Sequence, residues 1–397
     1  MTTPRFIQIH TLHSYPAALL NRDDSGLAKR MTFGGTVRTR ISSQCLKRHW
    51  RTAQDEFAIH AIAGSTAAIR SRNIVDRRVI APLRGADGIS EEVLMAVEAE
   101  FVKGMYGPNA RPGEEAAAER TRQPLLLGEP EVEHLRQRAA AICDEHPGDA
   151  KAAGDAATAL FSTRRGEGNN FRALLNGCRL PAGLEGALFG RMVTSDPSAN
   201  IEAAIHVAHA LTVHREESES DYFSVVDDLQ RDDEDGGAAH IGDMELTAGL
   251  FYGYVVVDAP ELVSNLEGCE ASDWQEADRE LAAQVVEHLT HLIATVSPGA
   301  KLGSTAPYAC ADLMLVETGR RQPRSLANAY RTACKPQVEE ATTALTKYLS
   351  KLDDAYGVKE TRRVMSVEDC EIPSAGRLNL DDLASHLAST IRNGRTE

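Results

Sequence analysis

Aromatic residues make up only 5% of this 397-residue chain, and just two of them are tryptophan. That scarcity argues against an aromatic-rich β-sandwich and suits helices wrapped around a modest sheet. The seven cysteines, at positions 45, 143, 178, 269, 310, 334 and 370, form no C-x-x-C. Such odd, scattered spacing excludes a disulfide framework and a zinc ribbon, and is expected of a reduced, cytoplasmic protein. Neither a signal-like apolar core in Met1–Leu20 nor a membrane-length apolar run is present, so no anchor is expected. The P-loop frame G-x-x-x-x-G-K-[ST] and the G-x-S-x-G elbow are also missing, which removes the motif support for an NTPase or an acyl transferase.

One further absence is local. Between Lys29 and Arg51 there is no acidic side chain, while Lys29, Arg30, Arg38, Arg40, Lys47, Arg48 and Arg51 all carry positive charge. Up to Arg51 nine Lys and Arg face only Asp23 and Asp24, a balance of +7, so residues 52–397 carry −22 of the overall −15. A protein that repels polyanions as a whole needs a dedicated patch to hold one, so this reversal points to a phosphate-bearing partner.

Arg5–Leu12 alternates like a half-buried strand that Pro16 is expected to break, and Gly34-Gly35 with Thr36–Ile41 reads as a turn and a second strand with arginines facing solvent. Ser42 or Ser43 then supplies an N-cap, followed by Leu46, Trp50, Ala53 and Phe57 at helical spacing. With no acid in the first turn, the helix dipole and free N–H groups remain open to a phosphate, and the serines, Gln44, Lys47 and Arg48 converge there. Residues 58–180 read as a helical insertion, Gly190–Thr194 as a return strand, and Ile201–Leu211 as helical. Glu216–Gly249 is an acidic excursion from a sheet with exposed Tyr222 and Phe223, after which Leu250–Val257 is a strongly apolar strand. A helix near Trp274–Ala294, a loop at Pro298–Lys301, a strand near Ala311–Glu317 and helices from Ser325 complete an α+β order.

The carboxylates of Asp227–Asp235 offer a metal-dependent ribonuclease as the alternative function, although consecutive acids rarely preorganise a metal site. His206, His209 and His214, or His288 and His291, have metal-like spacing without the H-E-x-x-H pattern. Nucleic-acid binding is better supported, because a basic run, an acid-free helix start and an apolar pair able to wedge between bases agree.

The chain resembles the CasC family, the backbone subunit of the type I-E CRISPR Cascade complex. The resemblance rests on Leu20-Asn-Arg-Asp-Asp24, Phe33-Gly-Gly35, Arg40-Ile-Ser-Ser-Gln44 with Leu46-Lys-Arg48, Gly190-Arg-Met192, Ala208-His-Ala210, Asp227-Asp-Leu-Gln230, Pro298-Gly-Ala-Lys301 and Leu326-Ala-Asn-Ala329, in order along the chain. It implies a modified RNA-recognition-motif (ferredoxin-like) palm (1–57, 181–215 and 250–397), a helical fingers insertion (58–180) and a protruding thumb (216–249). It implies no enzymatic activity and no cofactor or metal. The expected role is a non-catalytic scaffold in antiviral defence that oligomerises along CRISPR RNA, kinks it at regular intervals and presents it for pairing with target DNA. The partners implied are CRISPR RNA, the target strand, copies of the same chain stacked head to tail, and other Cascade subunits. Arg22, Ser42, Gln44, Lys47, Arg48, Arg51 and Lys301 would hold the RNA backbone, while Met192, Tyr222, Phe223 and Ser224 would wedge one nucleotide out of the stack. Arg164, Arg165 and Arg172 are further candidates for target-DNA contact.

Overall fold

The structure, a computed structural model, describes residues 3–66, 68–86, 88–113, 122–161, 180, 182–192, 200–225 and 240–394. In chain order the strands are β1 (Phe6–Ala18), β2 (Arg30–Phe33), β3 (Thr36–Ile41), β4 (Ala68–Ser71), β5 (Leu125–Gly128), β6 (Ile205–Val207), β7 (Ala210–Thr212), β8 (Glu217–Val225), β9 (His240–Asp258), β10 (Leu313–Gly319), β11 (Thr361–Ser366) and β12 (Ala375–Arg377). The chain divides into two compact units, one of residues 1–59, 206–257 and 283–397, the other of 60–205 and 258–282. The second unit therefore takes in more sequence than the 58–180 insertion.

The first unit is built on a sheet ordered β12-β11-β10-β1-β9-β7-β3-β2, with β6 and β8 also paired to β9. β1 and β10 run antiparallel from Phe6↔Gly319 to Leu12↔Leu313, whereas β11 and β12 are parallel. The mixed sheet and its helices make the fold α+β, the class expected from the element order. Phe6–Leu12 is buried along its whole length, so the polar Gln8 and His10 that alternation would turn to solvent lie inside the protein as well, as does Thr11. Below it, Leu12, Leu250, Tyr252, Leu313, Leu315 and Val364 pack with Leu345 and Leu349 of the helix Val338–Tyr356.

Pro16 does not end β1. The ladder with β10 stops at Leu12, so the missing N–H lies beyond it, and the exposed proline is tolerated. Arg38 reverses the expected orientation more sharply, since it is fully buried while Val37 is 41% exposed. Its guanidinium donates to the carbonyls of Thr212 (3.0 Å) and Tyr330 (2.9 Å). Those bonds compensate a desolvation that pulls its pKa below the usual guanidinium value.

The second unit packs α2 (Glu91–Tyr106) with the helices Glu129–Glu145 and Ala150–Leu160 around Val79, Ile80, Val97, Phe101, Leu135 and Ile142. β4 and β5 form a separate antiparallel pair. Ser90 caps α2 by accepting from the Val93 N–H at 3.3 Å, and Glu91 and Glu92 complement the helix dipole. In place of the expected return strand at Gly190–Thr194, the described residues show an isolated bridge, Arg191↔Ile201. Arg191 is consumed internally, 2.6 Å from both oxygens of buried Glu131. Val193 and Thr194 lie outside the described residues.

Three other expectations change. Ile201–Leu211 forms β6 and β7 rather than a helix, because β7 pairs both β3 and β9 and lateral pairing overrides a short helical pattern. The helix expected from Trp274 starts at Glu280, with Trp274 buried in the preceding turn. The stretch from Ser325 includes β11 and β12 as well as helices. Among the described residues, no helix is long and apolar enough to cross a membrane.

Candidate nucleic-acid interface

Helix α1 (Ser43–Thr52) follows β3 directly. Ser42 is its N-cap, accepting from the Cys45 N–H at 3.3 Å, and the Ser42 N–H donates to Asn21 Oδ1 at 2.9 Å. The first turn has no acid and the last carries His49 and Arg51, an arrangement in which the later cations complement the dipole. Trp50 is the buried anchor. Ala53 and Phe57 fall after the helix end, so the expected apolar stripe is shorter than the sequence spacing implied.

The N-terminus of α1 is partly occupied. The Ser43 N–H donates to His209 Nδ1 at 3.3 Å, and Arg40 donates to the same nitrogen at 3.1 Å. A nitrogen that accepts twice is unprotonated, and burial together with Arg40 and Lys29 lowers the His209 pKa accordingly. The free N–H groups expected at this helix start are thus reduced by His209 and by Ser42 itself. Ser42 is buried with its hydroxyl engaged in the cap, whereas Gln44 and Arg48 are exposed and share a face at i,i+4 spacing. Lys47 and Arg51 share another face and are half-buried.

Two of the seven cations turn inward. Arg38 is buried beneath the sheet, and Arg30 pairs with Glu216 and Glu245. Next to α1, an open cleft of about 480 Å³ is lined by Asn21, Arg22, Asp23, Asp24, Cys45, His49 and the Gly299-Ala300 backbone. Asp23 uses its carboxylate locally, accepting the N–H groups of Ser25 (2.9 Å) and Leu27 (3.0 Å). Arg22 is exposed at this cleft, and Lys301, half-buried, follows the lining residue Ala300 in sequence.

β8 and β9 form an antiparallel hairpin with Tyr222 opposite Asp243, Phe223 opposite Gly242 and Ser224 opposite Ile241. Neighbouring strand residues point to opposite faces. Tyr222 and Ser224 therefore share one face with Ile241, while Phe223 lies on the other with Asp221, Glu219 and Glu217. Tyr222 is 65% exposed and Phe223 37%. The difference comes from Gly242, where an added Cβ would sit 2.6 Å from the Phe223 ring; the ring covers the backbone that glycine leaves open. Met192 is 76% exposed and belongs to the second unit. The two aromatics expected to act together are thus divided between two faces.

The histidine candidates have structural partners. His214 accepts the Leu250 N–H at 3.1 Å, His288 donates to the Phe57 carbonyl at 3.0 Å, and His291 stacks on the Phe57 ring at 3.6 Å. Among the described residues, no group of three or more His, Cys, Asp or Glu side chains could hold a metal ion. Asp227–Asp235, Arg164, Arg165 and Arg172 lie outside the described residues.

Sequence reasoning missed a buried ion network. The registers Gln8↔Glu317 and Glu317↔Arg362 place three polar residues side by side across β1, β10 and β11. Arg362 donates to Glu317 (2.8 Å) and to both oxygens of Asp353 (2.6 Å each), and Arg324 donates to Glu317 at 2.6 Å. Burial alone would raise the Glu317 pKa, but the hydrogen bonds and charge of Arg324, with the His10 ring 3.3 Å away, hold it far below the carboxylate range. No local signal marks these residues, which are up to 354 positions apart in sequence, from Gln8 to Arg362.

The fold and surface together define a class: an α+β protein on a mixed sheet, with a capped basic helix beside a polar cleft and a projecting hairpin. The chain matches the CT1975-like protein family of Cas proteins over residues 7–392 and belongs to it. It is similar to a solved structure described as "CRISPR RNA-guided surveillance complex, pre-nicking", at 26% identity and TM-score 0.71, with 96% of this chain and 99% of that chain covered. A second structure, "CRISPR RNA-guided surveillance complex", shares the fold at 21% identity and TM-score 0.55, with 96% and 98% covered. No curated protein matches the chain.

Proposed function

We propose that this chain is a subunit of a CRISPR RNA-guided surveillance complex of type I-E, working in the cytoplasm as a non-catalytic scaffold. It oligomerises head to tail along CRISPR RNA, kinks the guide at regular intervals and presents it for pairing with target DNA. In this reading the mixed sheet is the RNA-recognition-motif palm, the second unit carries the fingers, and the β8–β9 hairpin is the thumb. Family membership and the likeness to a surveillance-complex structure over nearly the full length of both chains support it.

The observation that carries the reading is α1. A helix with no acid in its first turn, bearing Gln44, Lys47, Arg48 and Arg51 beside the Arg22 cleft, sits in a chain whose remaining residues are strongly acidic. Phosphates concentrate at such a local reversal of charge, while sequence is left to base pairing. Tyr222 and Phe223, on opposite hairpin faces, give the hairpin two distinct apolar surfaces, so one ring wedges the strand and the other braces the hairpin.

Lys47→Glu with Arg48→Glu is expected to abolish RNA copurification and RNA-dependent assembly, read by nucleic-acid absorbance and light scattering. Unchanged assembly with bound RNA would overturn the site. Labelled RNA incubated with the wild-type protein and Mg²⁺ is expected to stay intact; cleavage that is lost in Asp227→Ala would instead establish the ribonuclease.

A further inference from the structure

The loop after the helix Glu280–Thr295 is closed at its base and bolted at its tip. Ser297 Oγ donates to the Ala309 carbonyl (3.0 Å) and accepts the Ala309 N–H (2.9 Å). Near the tip, the Ala300 N–H donates to the Leu19 carbonyl at 2.9 Å. The neighbouring Gly299 N–H donates to Nε2 of His49, at 3.4 Å. His49 can accept there because its other nitrogen, Nδ1, carries the proton and donates to the Cys45 carbonyl at 2.8 Å, one turn back along α1. The imidazole is therefore held in one tautomer by its own helix and offers its lone pair to the loop.

We propose that His49 is a positioning residue: it ties the backbone of the Pro298–Lys301 loop to α1, so that Lys301 and the basic face of α1 meet one RNA backbone. This rests on the RNA-binding reading above. His49 and Gly299 both line the cleft that contains Arg22, so the bond sets the distance between its two walls. Gly299 is closely packed as well, since an added Cβ would lie 2.5 Å from Leu302 Cδ2 and 2.8 Å from Pro307 Cγ. A side chain at Gly299 therefore fits only if the Leu302 and Pro307 side chains shift.

The test is a double-mutant cycle on the full chain, with fluorescein-labelled oligouridylate as the probe and anisotropy as the readout. Lys301→Ala is expected to weaken binding about tenfold, as for loss of one charge-assisted hydrogen bond, and to reduce the log–log salt slope by about 0.7, one single-strand phosphate contact. His49→Ala should give the same loss and the same reduced slope, and the double variant should add nothing further. His49→Gln, whose Oε1 can accept the Gly299 N–H, should restore binding. Gly299→Ala crowds the loop against Leu302 and Pro307 without altering α1 and should shift binding in the same direction as His49→Ala, which covers the case in which the latter misfolds. Wild-type binding by His49→Ala, full additivity with Lys301→Ala, or failure of Gln to rescue would each overturn the proposal. If Lys47→Glu with Arg48→Glu also binds like wild type, the RNA site itself is wrong; if that variant loses binding while the His49 and Gly299 variants keep it, only the role of His49 is.

Discussion

Tyr222 and Phe223 are adjacent in sequence but differ in what their removal costs. Phe223 covers the Gly242 backbone across the hairpin, whereas Tyr222 is mostly exposed opposite Asp243. Tyr222→Ala is expected to leave the melting temperature within the small range typical of surface substitutions. Phe223→Ala should loosen the hairpin, seen as faster amide exchange in β8. Nucleotide displacement can then be apportioned between the faces with 2-aminopurine in the bound RNA. Fluorescence lost only with Tyr222→Ala assigns the wedge to the Tyr222 face; fluorescence lost only with Phe223→Ala assigns it to the opposite one.

At the scale of elements, the central strands are joined by charge as well as by ladder bonds. Glu317 on β10 accepts from Arg362 on β11 and from Arg324, and Arg362 reaches Asp353 on the helix Val338–Tyr356. Glu317 and Arg362 are both fully buried. Removing one partner leaves the others desolvated, so Arg362→Ala is expected to cost about 3–5 kcal/mol, measurable by urea denaturation. The same interior also holds part of the Leu326–Ala329 sequence block. Leu326 is buried with its N–H donating to Tyr252 Oη at 2.9 Å, and Tyr330 presents its carbonyl to Arg38. Leu326 and Tyr330 thus belong to the interior that holds β3 in place, while Asn328 between them is exposed.

For the whole molecule, these groups make stability depend on pH with a definite sign. Burial lowers the pKa of His10, and that of His13 to about 4, below the 6.5 of a free imidazole. The unfolded chain therefore binds more protons at these sites, and stability complete above pH 6.5 is lost as pH falls toward 4. Glu317 acts next. Its folded pKa is depressed, so its contribution is present above about pH 4.3, the unfolded value, and declines below that. The melting temperature is expected to change little between about pH 6.5 and 8 and to fall in two overlapping stages below pH 6.5. A melting temperature that rises between pH 6.5 and 4 would contradict this assignment.

Much of the site was legible because its signals are local. The Ser42 cap, the acid-free first turn and the Gln44, Lys47 and Arg48 positions depend on side chains within one helix, and alternation across β8 is a property of any strand. The residue types, their spacing and the charge reversal were determined by the sequence alone. Which cations face solvent was decided only by tertiary structure. Arg30 is paired by Glu216 and Glu245, Arg38 is drawn under the sheet by the Thr212 and Tyr330 carbonyls, and the α1 N-terminus is shared with His209. Each of those partners lies more than 160 residues away in sequence. A cation's exposure depends on what packs over it and on whether distant acceptors offset its desolvation, so only the assembled sheet determines it.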